Sequence, residues 1–264
     1  MFRWKNKVAA ATTMAVLSLV ATACGGADEP ASGKQKLTIA TSGTFRPITF
    51  SEGGKLTGYD IEVGTEITKR AGYDVEFVSG QLSGLLPGLN AGKFDAVMSG
   101  LTMTDQRKQS ITFSEPYLAD GTVAVVKASN TAVTDITQLG GLVVGVIGGS
   151  ATQTVIQKVG GYAELKEYPG APEGFADVAA GRVEVFAAGR IAAQDFIKNS
   201  PKGSELKIVG NVHAMMPAGV GLPKEDKAGL KAKFDAAIAA MWSDGTLKRL
   251  QEKWFGYTVD LPKA

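Results

Sequence analysis

The 264 residues contain one cysteine, Cys24, and one histidine, His213. That scarcity excludes a disulfide framework and a Cys/His zinc cluster, and a Ser-His-Asp enzyme would have to use His213. Excess charge of either sign is also missing, with 28 Lys plus Arg against 26 Asp plus Glu. Together with 44% hydrophobic and 20% charged residues, this balance argues against disorder, collagen and a multispan membrane protein. One or two soluble domains remain, and no cofactor, metal or nucleic-acid partner is expected.

The cysteine belongs to a distinct N-terminal pattern. Arg3, Lys5 and Lys7 precede a run of mostly small apolar residues, 8–23, broken by Thr12, Thr13 and Ser18. A membrane-spanning helix needs about 20 predominantly apolar residues; this shorter, polar-flecked run reads as an export signal. Ala21-Thr22-Ala23-Cys24 resembles a bacterial lipobox, in which the cysteine is lipidated and becomes the mature N-terminus, although Ala21 stands where Leu, Ile or Val is usual. A plain secretory signal is the alternative, and it would leave an unpaired thiol in an oxidising compartment. Cleavage before Cys24 removes three cations, so the formal charge moves from +2 to +2 − 3 = −1. Residues 1–23 are therefore expected to be a lipoprotein signal peptide. Residues 24–36, rich in Gly, Ala, Ser and charge, should form a flexible tether.

From Leu37 onward, short apolar runs alternate with helical patterns. Leu37–Ala40, Val75–Val78 and Phe94–Met98 read as strands. Asp60 is a candidate N-cap for a helix carrying Val63, Ile67 and Ala71 and stopped at Gly72, and a second helix covers Leu85 to Asn90. The alternation restarts with strands at 142–147, 165–168 and 183–187 and helices at 151–159, 174–180 and 191–198. Such βαβα order favours parallel sheets covered by helices. The apolar, extended segments 121–128 and 218–222 read as two strands crossing between lobes. A long amphipathic stretch follows, with Leu230, Phe234, Ile238, Met241 and Trp242 on one face; it is interrupted at Gly245 and continued by Leu247, Leu250 and Trp254. The expected architecture is α/β and two-lobed: residues 37–122 plus 218–264 form lobe 1, residues 123–217 form lobe 2, and a central ligand cleft lies between them.

Three stretches can aim donors at one anion. Ser99 to Arg107 follows a strand and opens a helix, gathering hydroxyls, amides and one guanidinium at the sheet edge where open α/β proteins bind ligands; a plain surface salt bridge of Arg107 is the alternative. Gly148-Gly149-Ser150-Ala151-Thr152-Gln153 follows another strand, with Ser150 and Gln153 at capping-box spacing and a helix N-terminus suited to a carboxylate. It lacks the Gly-Lys-Ser/Thr of a phosphate loop, and a simple cap is an equally good reading. Thr41 to Pro47 follows the first strand, where Phe45 either floors a ligand site or closes the local core.

In combination and order, several motifs closely resemble the family 3 extracellular solute-binding proteins of bacterial ABC importers. They are Phe45-Arg46-Pro47, Gly58-Tyr59-Asp60-Ile61, Leu89 to Ala96, Thr102 to Arg107, Phe113-Ser114-Glu115-Pro116-Tyr117, Gly181-Arg182-Val183-Glu184, Asp244 to Leu247 and Lys253-Trp254-Phe255-Gly256. The resemblance spans about Leu37 to Gly256 and implies the type 2 periplasmic-binding-protein fold and, mostly, polar amino acid ligands. It implies that Arg107 clamps a ligand carboxylate with help from Thr102 and backbone contacts at Gly100. Ser150 and Ala151 would donate from the other lobe, Phe45 would cover the ligand side chain, and Leu82 would form an apolar wall.

Two positions depart from that pattern. Gly189 stands where amino-acid binders usually carry an aspartate for the ligand ammonium, and Ser42 replaces a residue that is often acidic. A desolvated ammonium without a carboxylate is costly, so either the ligand lacks a primary α-ammonium or another group compensates; Asp120 and Glu184 are the nearest acids in sequence. Arg46 and Arg190 are read as solvated surface arginines in preference to a second anion site.

The resemblance thus implies a non-enzymatic receptor. It would be a monomer, lipid-anchored on the outer face of the bacterial cytoplasmic membrane. Its lobes would close on a small carboxylate or zwitterionic solute and present it to the ABC permease transmembrane subunits. An enzyme of the same fold, a cyclohexadienyl dehydratase-like lyase, is the alternative. It would need His213 or Glu184 as general acid, and His213 reads as a loop or surface residue.

Overall fold

The computed structural model describes residues 33–262. The leader, Cys24 and most of the tether lie outside these described residues. The tether as read to residue 36 ends slightly earlier, because Lys36 is already the first residue of a strand and pairs with Glu76 at 2.7 Å.

Two five-stranded sheets form the two lobes. In the first, the spatial order is Asp74–Ser79, Lys36–Thr41, Ala96–Val97, Gly221–Pro223 and Ile111–Phe113. Its first three strands run parallel, and Gly221–Pro223 lies antiparallel to both neighbours. In the second, the order is Glu164–Tyr168, Val143–Ile147, Val185–Gly189, Leu118–Lys127 and Leu206–Ala218. Here too three parallel strands are followed by antiparallel ones. The sheets are therefore mixed where strand–helix alternation predicts parallel ones. The difference comes from Leu118–Lys127 and Gly221–Pro223, each of which follows the strand before it without an intervening helix.

Leu118–Lys127 is buried at eight of ten positions, as befits a strand covered on both faces. Its partner Leu206–Ala218 is the second long connecting strand, a correction to the expectation that placed it at 218–222. Two register shifts, between Val209 and His213 and between His213 and Met216, break its inside–outside alternation. That irregularity, with Gly210 and Pro217 in the run, hides the strand from a periodicity reading. The strand reaches Ala218, which bridges to Thr102, and only then does the chain enter the first sheet at Gly221–Pro223.

Helices close both faces of each sheet. Tyr59–Ala71 starts after Gly58 and ends at Gly72, whose φ of 88° supplies the left-handed cap that glycine adopts without steric cost. Asp60 is thus not its N-cap: it sits inside the first turn, completely buried. Leu230–Ser243 and Thr246–Phe255 pack on the same side, burying Leu230, Phe234, Ile238, Met241 and Leu247 with Tyr59, Val63 and Ile67. In the second lobe, Ala171–Ala180 approaches the sheet so closely that a Cβ on Gly174 would overlap the Phe186 ring. This packing fixes the strand ends, and with them the loops of the cleft.

Candidate functional site

A single cavity at the strand ends brings together all nine residues singled out from the sequence: Ser42, Phe45, Leu82, Gly100, Thr102, Arg107, Ser150, Ala151 and Gly189. They come from both lobes. Also at its wall are Asp120, Thr122, Ile147, Thr152 and Met216; the sequence offers Asp120 as an acid and Thr152 within the donor stretch after Ile147, and gives no signal for Thr122 or Met216.

Arg107 lies in the short helix Asp105–Ser110, capped by the Thr104 hydroxyl accepting the Arg107 N–H at 3.2 Å. Its Nη1 donates to the Thr102 carbonyl and hydroxyl at 3.0 and 2.9 Å, and Nη2 donates to the Gly149 carbonyl at 2.9 Å. All of these acceptors are neutral, and among the described residues no carboxylate pairs with it. Burial lowers its pKa to about 10, which leaves the guanidinium charged at neutral pH. A cation held this way in a largely enclosed site is stabilised by an incoming anion.

Gly100 and Asp60 explain one another. The Gly100 N–H donates to Asp60 Oδ2 at 2.6 Å, so this amide is engaged within the protein and the backbone group of Gly100 left for a ligand is its carbonyl. Burial raises the Asp60 carboxyl to about 7, opposed by the Gly100 amide and the Tyr117 hydroxyl. The bond holds the Ser99–Thr102 turn, where Gly100 has φ +56°. Ser42 is buried against Ser99: its hydroxyl accepts from the Ser99 hydroxyl at 2.9 Å, leaving its own O–H for another acceptor.

In the second lobe, Ser150 caps Ala151–Val159 by accepting the Gln153 N–H at 3.1 Å. The return arm of the expected capping box is displaced by one residue, because Gln153 Oε1 accepts from Gly149 N at 2.8 Å. The first-turn amides of Ala151 and Thr152 lack intrahelical acceptors, and both residues line the cavity.

Phe45 spans the two halves. A Cβ on Gly100 would stand 3.2 Å from its Cε1, and one on Gly189 3.4 Å from its Cζ. The ring also packs against the main core of the first lobe, so it both floors the cavity and closes the local core.

The remaining charged candidates fall elsewhere. Arg46 is half exposed, with its guanidinium 4.1 Å from the Phe50 ring centroid and ion pairs to Glu52 at 3.4 Å and Asp195 at 3.6 Å. Arg190 is not the solvated arginine expected: its Nε is buried and its guanidinium lies 5.5 Å from the Tyr257 ring centroid. Glu184 accepts the Val143 N–H at 2.8 Å, and His213 sits within a strand, 3.1 Å from Asp135. Neither lines the cavity.

Residues 37–257 match the bacterial extracellular solute-binding proteins, family 3. The chain belongs to that family. Among curated relatives of this family 3 protein is the L-cystine-binding protein TcyJ of Escherichia coli K12, 33% identical over 240 residues that cover 88% of this chain and 89% of that protein. Among solved structures, an ancestral arginine-binding protein bound to arginine is 34% identical, with a TM-score of 0.79, covering 84% of this chain and 99% of that one. The ancestral amino acid-binding protein AncCDT-1, a precursor of cyclohexadienyl dehydratase, is 29% identical with a TM-score of 0.76, covering 83% of this chain and 95% of that one. These are two-lobed periplasmic-type folds, in agreement with the two sheets and the cavity between their strand ends.

Proposed function

We propose that the protein is the receptor of an ABC importer that captures a small carboxylate-bearing solute, an amino acid or a derivative, and delivers it to the permease. The observation that carries this reading is Arg107: a charged guanidinium in the cavity, held by neutral acceptors and lacking an anionic partner among the described residues. Its fork suits the two oxygens of a carboxylate. Thr102 and Ser42 add hydroxyls, and Ser150 and Ala151 add donors from the facing helix start. Phe45 and Leu82 cover the ligand's apolar part. Relatives that bind cystine and arginine support an amino acid as the ligand class.

Capture works by closure. The lobes, 37–122 plus 218–264 and 123–217, approach when the ligand bridges Arg107 to the helix start at Ala151, and the closed form is favoured only by as much as the ligand prefers it. The protein works as a monomer, tethered through a lipidated Cys24 on the outer face of the cytoplasmic membrane, where it meets the transmembrane subunits.

Binding is favoured over turnover because His213 and Glu184, the general acids that the sequence offers, lie outside the cavity. Calorimetry of the mature protein against amino acids, opines, ectoine-like zwitterions and simple carboxylates tests the reading. Arg107→Ala should abolish the binding that the wild-type protein shows; equal binding by both would remove the clamp, and conversion of prephenate or arogenate would replace a receptor by an enzyme.

A further inference from the structure

The cavity has an anionic side as well as a cationic one. Gly189 carries no side chain, yet its position is not empty: a Cβ there would stand 2.5 Å from Asp120 Oδ2. Asp120 comes from Leu118–Lys127, the strand that pairs antiparallel with Val185–Gly189 and places Thr122 opposite Gly189. The carboxylate therefore reaches from the neighbouring strand into the space that a residue-189 side chain would fill.

Its two oxygens have different surroundings. Oδ1 accepts the Gly121 N–H at 2.9 Å and the Ile191 N–H at 3.3 Å, which fixes the side chain against the start of the helix Arg190–Asn199. Oδ2 takes neither of these two bonds, the Arg190 N–H also reaches the carboxylate, and the residue lines the cavity that contains Arg107. Arg190, the cation whose charge bears on this carboxylate, makes no ion pair with it; that guanidinium lies over the Tyr257 ring. Asp120 is thus oriented by backbone amides and, among the described residues, makes no ion pair.

We propose that Asp120 Oδ2 receives the cationic nitrogen of the ligand, so that Arg107 and Asp120 together select a zwitterion and Gly189 is small in order to admit this carboxylate. The assignment rests on the receptor reading above and adds a group that this reading does not use. Burial pushes the Asp120 carboxyl up to about 7, opposed by the Gly121 and Ile191 amides, the Arg190 charge and the Arg190 amide. Such a shift is what a desolvated carboxylate without a direct ion-pair partner shows. The competing role, a mere cap for Arg190–Asn199, does not call for a place at the cavity wall.

The test compares matched ligands. Wild-type protein, Asp120→Asn and Arg107→Ala are titrated calorimetrically with the twenty L-amino acids and, for every amino acid that binds, its 2-hydroxy acid analogue. The expected wild-type preference for the amino acid over its hydroxy acid is roughly 10- to 100-fold, the range of one charge-assisted hydrogen bond. Asp120→Asn keeps the shape and the capping oxygen, so it should erase that preference while leaving hydroxy-acid affinity within about threefold. A second variant moves the charge: Asp120→Ser should lose the preference, and adding Gly189→Asp to it should restore most of it.

An unchanged preference in Asp120→Asn, wild-type binding of hydroxy acids as tight as amino acids, or no binding of any amino acid by the wild-type protein would each overturn the assignment. Parallel loss of both ligand classes would also refute it, leaving the carboxylate a structural cap. The receptor reading fails separately, when Arg107→Ala binds as the wild type does.

Discussion

Arg107 Nη2 donates to the Gly149 carbonyl at 2.9 Å, joining the helix start of the first lobe to the glycine turn of the second across 42 residues of sequence. The same guanidinium holds Thr102 through Nη1. Under the proposed function, a ligand carboxylate bound there would replace or join a neutral acceptor with an anionic one and strengthen the link between the lobes, so that closure and capture would share one side chain.

The geometry of that fork makes Arg107→Lys a damaging change although it keeps the charge. An ammonium cannot serve Thr102, Gly149 and two carboxylate oxygens together. Affinity for the ligand should fall by roughly 10- to 100-fold, equivalent to about 1.5–3 kcal/mol. Calorimetry at neutral pH measures it, and the melting temperature without ligand should stay close to that of the wild type.

Binding should respond to pH through Asp120. Its carboxyl is raised to about 7 by burial, with three amides and the Arg190 charge opposing, while Tyr257 stays neutral because its own pKa is raised by burial. Arg107, at about 10, remains charged throughout. A cationic ligand nitrogen needs the ionised carboxylate, so affinity should be full above about pH 7 and fall as pH drops, approaching about tenfold per unit well below it. Titrations in two buffers of different ionisation enthalpy should reveal proton release on binding below pH 7, absent in Asp120→Asn.

Asp60 predicts a pH dependence of folding. Its carboxyl is raised from 3.8 to about 7 in the folded protein. Between those values the native state keeps a proton that the unfolded chain has released, so the stability from this group is full below about pH 4 and is lost as pH rises to 7. Asp177 and Asp244 act in the opposite sense: Arg182 with Tyr168, and Thr246 with Arg70, hold them below the usual carboxylate range. Asp60→Asn keeps an acceptor for the Gly100 amide and isolates the first effect. Urea unfolding at pH 4.5 and 7.5 should show this variant gaining, relative to wild type, at the higher pH.

Packing in the second lobe is tight enough to test with one methyl group. Gly174→Ala would push a Cβ into the buried Phe186 ring, and overpacking of this kind costs about 1–3 kcal/mol. The melting temperature should drop by roughly 2–12 °C for a chain of this size. Ligand affinity at 20 °C should change little, since neither residue lines the cavity.

The proposed lipid anchor at Cys24 can be tested by fractionation. Cys24→Ser should move the protein from the membrane fraction to the soluble one and remove incorporation of labelled palmitate, while the ligand affinity of the soluble body remains as before. Retention of the variant in washed membranes would speak for a different anchor.

Much of the cleft is legible in the sequence because its bonds are local. Thr104 and Thr102 serve Arg107 from three and five residues away, and Ser150 caps an amide three residues on. Strand–helix alternation likewise marks most elements, since a buried strand or amphipathic helix writes its own period. The periodicity reading failed at Leu206–Ala218, where two register shifts erase the alternation. It also failed at Asp60, which looks like a cap and is instead a buried acceptor for an amide 40 residues away.

The sequence by itself determined the family, the two-lobed α/β plan and the cluster around Arg107, because contiguous motifs carry them. It also exposed the glycine at position 189 as a departure. Only the tertiary structure decided what fills that gap. Asp120 reaches it through the antiparallel pairing of Leu118–Lys127 with Val185–Gly189 and is anchored to Ile191, 71 residues along the chain. Strand register is set by packing of the whole sheet, so no local pattern could have told Asp120, inside the cavity, from Glu184, outside it.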